Sequence, residues 1–172
     1  IRRGLRRTYQ ISQLFGGLSV GDSVYLACRG VSRGRFALSR PRPDDRTMMQ
    51  AESIVHAVHL ESLRDHLVAS LSHGQQRQLE IALALAGAPR FILFDEPAAG
   101  LSPPERRDLV TILNALPKHI GFIIIEHDLD VALRVTEYVS MMHNGRLFKE
   151  GTPQEIEDDP EVQKVYLGGG HG

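Results

Sequence analysis

The sequence has little of several features that define whole classes of protein. It contains one cysteine, Cys28, among 172 residues, which excludes an intramolecular disulfide framework and favours a reducing compartment. No apolar run approaches the roughly 18 to 20 residues that span a bilayer. The first residues include arginines but no apolar core after them, so we expect no secretory signal. These absences predict a soluble, cytosolic protein.

The sequence also has no excess of charge of either sign. Its formal net charge is -1, which gives no bulk electrostatic reason to expect a nucleic-acid partner. Arginines cluster near the N-terminus and again between residues 29 and 46, where we expect an irregular, solvated or partner-facing connection. At this length we expect one good core, with or without a helical appendage, but not two large domains.

The apolar pattern of the second half predicts an α/β layer. Residues 90–94, after the initial Arg90, and residues 120–125 are continuous apolar runs, as expected of strands buried on both faces of a parallel sheet. The Asn144-Gly145 pair predicts a hairpin. In the first stretch, Gly16-Gly17 and Gly21-Asp22 break up the pattern. Helical spacing and caps predict helices from about residue 47 to 58, after Ser72, after Ser102 and from 129 to 135.

Two adjacent carboxylates, Asp95 and Glu96, follow the first apolar strand directly. Ligand sites of α/β proteins lie at the carboxyl ends of strands, and neighbouring strand residues point to opposite sides. We therefore expect Asp95 to hold the magnesium shell of a nucleoside triphosphate, and Glu96 to face the water that attacks the terminal phosphate. The alternative for such a triplet in isolation is a polar turn that ends the strand.

A second set of candidate residues begins at Ser72. Ser72 is an N-cap candidate, Gly74 permits a close approach, and the first amides of the helix, including that of Gln75, converge with the helix dipole on an anion site. His127, just beyond the second strand, is a candidate donor to a γ-phosphate beside Glu96. Taken alone, each of these residues is also compatible with a structural role.

Together these residues resemble the ATP-binding subunits of ABC transporters. Residues 71–75 are similar to the signature motif of that family, 91–96 to its Walker B strand with the catalytic glutamate, and 98–102 to its D-loop. His127 resembles the switch histidine. Gln10 resembles the Q-loop glutamine, whose neutral side chain reaches a magnesium shell.

Three segments resemble one type of ABC transporter more specifically, the importers of branched-chain amino acids. These segments are residues 75–82, 95–101 and 159–168. Urea importers share much of that pattern. The resemblance implies an α/β fold: the C-terminal part of a P-loop ABC ATPase, with a parallel sheet and flanking helices, plus a helical signature subdomain. It implies three regions: a Q-loop and signature region over 1–88, a Walker B and switch region over 89–151, and a C-terminal tail over 152–172.

A mechanism and partners are implied as well. Two ABC subunits stack head to tail with ATP and Mg²⁺ at their interface, and closure drives transmembrane permease subunits from the inner face of the membrane. By analogy Ser72 and Gly74 contact the γ-phosphate of the partner's ATP, with Gln75 beside them. Gln10 links the site to the permease, and Ser102 is a nucleotide-site residue at the end of the D-loop.

The sequence departs from the family pattern in three places. It contains no GxxxxGK[ST] phosphate loop and no adenine-stacking aromatic residue upstream of Gln10. His73 stands where the signature most often has glycine, and its side chain is expected to point away from phosphate. Ser102 stands where many relatives have aspartate, which is expected to alter communication across the dimer.

The missing phosphate loop determines what we expect of this chain itself. We expect the C-terminal portion of an importer ATPase whose intact subunit hydrolyses ATP, whereas the 172 residues alone bind ATP poorly. One alternative is a non-catalytic module that pairs with a complete subunit. Another is a soluble ABC ATPase of DNA repair or translation, which is less favoured because the sequence shows neither coiled-coil heptads nor a second cassette.

Overall fold

A computed structural model describes residues 5–7, 14–31 and 46–167 of the chain. Gln10, residues 32–45 and the C-terminal glycines from residue 168 lie outside the described residues. Of the connection expected to be irregular over 29–46, residues 29–31 and 46 are helical instead. By its internal contacts the chain divides into two compact units, Ile1–Ile125 and Glu126–Gly172. The predicted division at residues 88 and 151 stays a prediction.

The first unit contains a parallel sheet. Its three described strands lie in the order β1, β2, β3, with the bounds Leu5–Arg7, Phe91–Asp95 and Gly121–Ile125. The middle strand, β2, pairs with β3 along its whole length, so that Asp95 lies opposite Ile125. This arrangement confirms the predicted α/β class with a parallel sheet.

The described residues of the first unit also form four α-helices, α1 to α4 in sequence order. Helix α1 packs on α2, and both contact α3, while α4 follows β2. Two single turns of 3-10 helix, Glu61–Leu63 and Val68–Ser70, connect α2 to α3. The predicted helices are confirmed for α2, α3 and α4. The four helices have the following bounds: α1 Val20–Val31, α2 Arg46–Ala57, α3 His73–Leu85 and α4 Pro103–Asn114.

Helix α1 begins in the stretch that the glycine pairs break up in the sequence. The amide of Asp22 donates to the Ser19 hydroxyl at 3.0 Å, which caps the first turn. Gly21 lies in that turn and packs closely against Arg64, since a Cβ at position 21 would lie only 3.0 Å from Cγ of Arg64. The sequence pattern indicates a break at this glycine, whereas in the structure its missing side chain permits close packing. The buried residues of α1 recur at every fourth position: Val20, Val24 and Cys28.

Burial also determines the chemistry of the Cys28 thiol. Removal from water raises its pKa to about 11, against the lowering effect of a backbone hydrogen bond. Because the thiolate is the reactive species, Cys28 is a packing residue at neutral pH rather than a nucleophile.

The third strand, β3, is less buried than its apolar composition predicts. Ile123 and Ile125 are 54% and 50% exposed, whereas Ile92 and Phe94 of β2 are fully buried. Within the described residues β3 pairs with β2 alone and forms one edge of the sheet. Ile123 and Ile125 alternate with half-buried residues and therefore share one face, so the prediction of burial on both faces is wrong for β3: that face is exposed among the described residues.

The second unit is built around a β-hairpin. Strands β4 Val139–His143 and β5 Arg146–Gly151 pair antiparallel, and the turn residues Asn144 and Gly145 have φ values of 48° and 74°. Positive φ at both positions is typical of a type I′ turn, so the predicted hairpin is confirmed. Helix α5, Leu129–Val135, precedes the hairpin as predicted.

Two short helices complete the second unit: α6, Pro153–Glu157, and α7, Pro160–Val162. Their residues Ile156 and Val162 form a small core with Met141 of the hairpin. Among the helices of the described residues, none has the length and apolarity needed to span a membrane.

Candidate functional site

The carboxyl end of β2 places the acidic pair. Asp95 is the last residue of the strand, and Glu96 follows it with a φ of 47°. This left-handed conformation is costly for a residue with a Cβ, by roughly 1 to 2 kcal/mol. The Glu96 amide donates to the carbonyl oxygen of Ile125 at 2.9 Å, which helps to hold the strained backbone. Strain of this kind clusters at functional sites, and here it coincides with the candidate catalytic carboxylate.

The start of α3 places the second set of candidate residues. The Ser72 hydroxyl accepts a hydrogen bond from the amide of Gln75 at 3.3 Å, and Oε1 of Gln75 accepts from the amide of Ser72 at 2.9 Å. This reciprocal capping box confirms Ser72 as the N-cap. The amide of Gly74 lies in the same first turn, where helix amides have no partner within the helix.

A carboxylate from α4 contacts this turn. Oε1 of Glu105 accepts a hydrogen bond from the amide of Gly74 at 3.2 Å. Its Oε2 accepts from the amide and the hydroxyl of Ser102 at 2.8 and 2.6 Å. These bonds from Ser102, followed by the bond from Gly74 and the nearby His73, hold the pKa of Glu105 below its usual range. The structure therefore connects the signature-like turn to the D-loop-like residue Ser102 through one carboxylate.

Two glycines make this close approach possible. A Cβ on Gly74 would lie 2.6 Å from Cδ of Glu105, and a Cβ on Gly100 would lie 3.1 Å from Cε1 of His73. Gly100 also has a φ of 74°, a conformation that favours glycine. The His73 ring thus packs close to the backbone of Gly100, and its expected direction away from phosphate stays a prediction.

A cavity of about 250 Å³ opens between the first turns of α3 and α4. Neither Asp95 nor Glu96 is among its lining residues, so the two sets of candidate residues do not share this cavity. The lining includes Ser72, Gly74, Gln75, Arg77, Glu105 and Asp108.

Arg77 brings a buried positive charge to the wall of the cavity. Its NH1 donates to Oε2 of Glu80 at 2.7 Å, and the two side chains are only 10% and 12% exposed. Burial raises the pKa of Glu80 even though the bond and charge of Arg77 oppose the shift. The Nε of Arg77 is buried with no hydrogen-bond partner in the part of the chain that the structure describes.

Sequence reasoning missed the contacts of Glu105 and the buried pair of Arg77 with Glu80. The Ser102-x-x-Glu105 spacing is a capping-box signal, but nothing in it indicates a bond to Gly74, which lies 31 positions earlier. The three-residue spacing of Arg77 and Glu80 on a helix was the available signal for the ion pair.

The structure gives fewer contacts for the other candidate residues, Ser102 and His127. Ser102 is joined to the α3 turn through Glu105, as described above. His127 lies in the second unit, is exposed, and its amide donates to Oε2 of Glu126 at 3.2 Å. Its expected position beside Glu96, like every catalytic or nucleotide-binding role given to these residues, stays a prediction.

Comparison with known proteins identifies the family. A family model described as "ABC transporter" matches residues 1–99. The high-affinity branched-chain amino acid transport ATP-binding protein BraF of Pseudomonas aeruginosa is 31% identical over 97% of this chain and 69% of its own length. The chain belongs to the ABC transporter ATP-binding family. Members of this family are ATPase subunits, so the predicted enzyme class is confirmed at that level.

The comparisons do not single out one type of ABC transporter. A second family model, described as "Branched-chain amino acid ATP-binding cassette transporter", matches residues 150–172. The lipopolysaccharide export system ATP-binding protein LptB of Escherichia coli, however, is 38% identical over 97% of this chain and 66% of its own length. The chain thus spans about two thirds of the length of these curated relatives.

Solved structures of ABC cassettes share the fold. The ADP conformation of an ATP-binding cassette of an ABC transporter matches with a TM-score of 0.74 and 29% identity, over 97% of this chain and 69% of the other. A dimeric ATP-binding cassette in a post-hydrolysis state, bound to ADP and Pi, matches with a TM-score of 0.70 and 25% identity, over 88% and 64%. These matches confirm the predicted ABC ATPase fold.

The residues present fit parts of an ATP and Mg²⁺ site, which ABC ATPases generally have. The first turn of α3 already binds a carboxylate oxygen, and phosphate oxygens accept hydrogen bonds from the same donors. Asp95 offers a hard oxygen ligand of the kind that Mg²⁺ prefers. In the described residues no group of three or more His, Cys, Asp or Glu side chains forms a metal site, but Mg²⁺ is commonly held by one or two carboxylates together with phosphates.

Proposed function

We propose that this chain is part of the ATP-hydrolysing subunit of an ABC importer for branched-chain amino acids. The match of residues 150–172 to a family model of that description supports the solute class, together with the similarity to BraF. The ATPase assignment is supported by the hydrogen bond from the amide of Gly74 to the Glu105 carboxylate, because it shows that the signature-like turn can bind an anion. The similarity to LptB makes lipopolysaccharide export the second candidate.

In this proposal the α3 turn works across a dimer. Ser72, Gly74 and Gln75 donate hydrogen bonds to the terminal phosphate of a nucleotide that the phosphate loop of a second ABC ATPase subunit holds. Such donors stabilise the charge that develops during phosphoryl transfer. ATP supplies the transferred phosphoryl group, and Mg²⁺ neutralises its charge. The dimeric post-hydrolysis structure similar to this chain supports the stacked arrangement.

In the same proposal, Asp95, Glu96 and His127 act on the magnesium ion, the attacking water and the γ-phosphate. Asp95 holds the magnesium shell, and Glu96 orients the attacking water and takes its proton. His127 donates a hydrogen bond to the γ-phosphate, and Gln10 connects the magnesium shell to the permease. Ser102, through Glu105, transmits the state of the α3 turn to the start of α4.

Transmembrane permease subunits at the inner face of the membrane are the proposed second partner. Four large apolar side chains of the region before α3 are each more than half exposed. In this proposal they contact a membrane subunit. These side chains are Phe15, Leu26, Met49 and Leu67.

Uptake measurements test the solute. Deletion of the gene is expected to reduce the uptake of radiolabelled leucine, and the wild-type gene, but not a Glu96→Gln variant, is expected to restore it. Urea uptake and the lipopolysaccharide content of the cell surface are measured in parallel. Unchanged leucine uptake with a loss of either other quantity would refute the amino-acid assignment in favour of that solute.

Nucleotide binding tests the role of the 172 residues alone. We expect calorimetry to show no micromolar binding of MgATP, because such affinity needs about 8 kcal/mol and the sequence contains no GxxxxGK[ST] loop. Micromolar binding by the monomer would contradict this expectation. The coding DNA upstream of Ile1 separates two explanations: an in-frame phosphate loop supports a catalytic subunit, and a start codon without one supports a non-catalytic pairing module.

A further inference from the structure

A second cavity lies in the helical region before α3. Its volume is about 280 Å³, and its walls come from the start of α1, from one side of α2 and from the residues that follow the turn Glu61–Leu63. Pockets for drug-sized ligands occupy about 300 to 1,000 Å³, so this cavity suits a smaller molecule. Within the described residues, none of those predicted to act on nucleotide lines it.

One part of this lining is aliphatic. Ala51 and Val55 lie one turn apart on α2 and are buried, and Leu18, Leu26 and Met48 line the same cavity. A ligand with an aliphatic side chain buries apolar surface against these residues, which is favourable in water. A wholly polar ligand gains nothing from them. The lining therefore favours a ligand that carries an aliphatic group.

The charged part of the lining contains both signs. Asp22, Glu52 and Asp65 contribute carboxylates, and Arg64 contributes a guanidinium. NH2 of Arg64 donates to Oε1 of Glu52 at 3.1 Å, and its NH1 lies 3.9 Å from Oδ1 of Asp65. A guanidinium has five N–H donors, so Arg64 is able to bind the carboxylate of a ligand as well. The excess of carboxylates among these residues favours an ammonium group on the same ligand.

We propose that this cavity is a binding site for a small zwitterion with an aliphatic side chain, which is the chemistry of a branched-chain amino acid. The ammonium group of the ligand pairs with Asp22, since the other two carboxylates lie next to Arg64. The ligand carboxylate accepts from Arg64, and the aliphatic group packs on Ala51 and Val55. The inference goes beyond the proposed function. The proposed solute has this chemistry, but the assignment depends on the lining of the cavity alone.

Nuclear magnetic resonance titration of the isotope-labelled 172-residue chain tests the site, with the amide resonances of Ala51 and Val55 as the readout. L-Leucine is compared with L-alanine, with isoamylamine, which lacks the carboxylate, and with isovalerate, which lacks the ammonium group. We expect leucine to bind at least about tenfold more tightly than each of the other three, because each of them loses one of the proposed contacts. Binding of any of the three as tightly as leucine overturns the proposal.

Asp22→Asn distinguishes a specific site from a general effect of charge. It keeps the size of an exposed side chain and removes one negative charge, so we expect leucine to bind at least about fivefold more weakly. Asp108→Asn is the matched control, because Asp108 is also exposed but lines the other cavity, and a change below about twofold is expected there. Equal changes in the two variants overturn the proposal, as does a wild-type chain whose Ala51 and Val55 resonances do not respond to leucine. The titration involves neither uptake nor hydrolysis, so its failure is distinguishable from failure of the proposed function.

Discussion

Replacing Phe94 with alanine is expected to remove about 3 to 5 kcal/mol from the free energy of unfolding. Phe94 is fully buried in the middle strand, and its ring contacts that of Phe122 edge-on with the centroids 5.8 Å apart. The substitution deletes that contact and leaves a cavity in a close-packed core, which can collapse only in part. Chemical denaturation monitored by circular dichroism measures the loss.

Phe15 provides the matched control for Phe94. It is largely exposed, so the same change to alanine is expected to alter stability by no more than about 0.5 kcal/mol. Because small domains are stable by only about 5 to 15 kcal/mol, Phe94→Ala could leave no folded state to measure. Phe94→Leu, with a smaller cavity, is expected to show a smaller loss. Equal losses at positions 94 and 15 would contradict the described core.

Substitutions of Glu96 are expected to affect the rate of ATP hydrolysis and the stability of the fold differently. In the intact subunit, Glu96→Gln, Glu96→Ala and Glu96→Gly are each expected to lower ATP hydrolysis at least about 100-fold, because each removes the proposed base. Glu96→Gly is expected to be more stable than Glu96→Ala by about 1 kcal/mol, since glycine adopts the positive φ of this position without strain.

Two measurements check this expectation. Phosphate release reports the activity of all three variants, and thermal or chemical denaturation compares alanine with glycine. Nucleotide binding to the same variants serves as the control, because it should be retained when only the base is lost. Undiminished hydrolysis in Glu96→Gln would remove Glu96 from the reaction, whereas equal stability of the alanine and glycine variants would argue against the strained backbone.

The features that the sequence predicted well are local. The N-cap at Ser72 depends on bonds to a residue three positions away, and the hairpin turn depends on two residues that tolerate positive φ. Both are properties of short segments, so composition and spacing are sufficient to indicate them. The parallel pairing of β2 with β3 followed from two apolar runs separated by a helix.

The features that it missed depend on contacts between distant segments. Gly21 looked like an interruption because its close approach to Arg64 is visible only after folding. The bond between Gly74 and Glu105 joins the first turns of two different helices. The exposure of Ile123 depends on what covers its face of β3, and the composition of a strand does not specify that. Tertiary placement, rather than local preference, determines all three.

The buried ion pair of Arg77 and Glu80 restricts which substitutions helix α3 tolerates during evolution. Substitution of either residue alone leaves an uncompensated buried charge, at a cost of about 3 to 5 kcal/mol, whereas joint replacement by two well-packed apolar residues avoids that cost. Any route from the present pair to an apolar one through single substitutions therefore passes through a poorly folded intermediate. The two positions are therefore expected to change together.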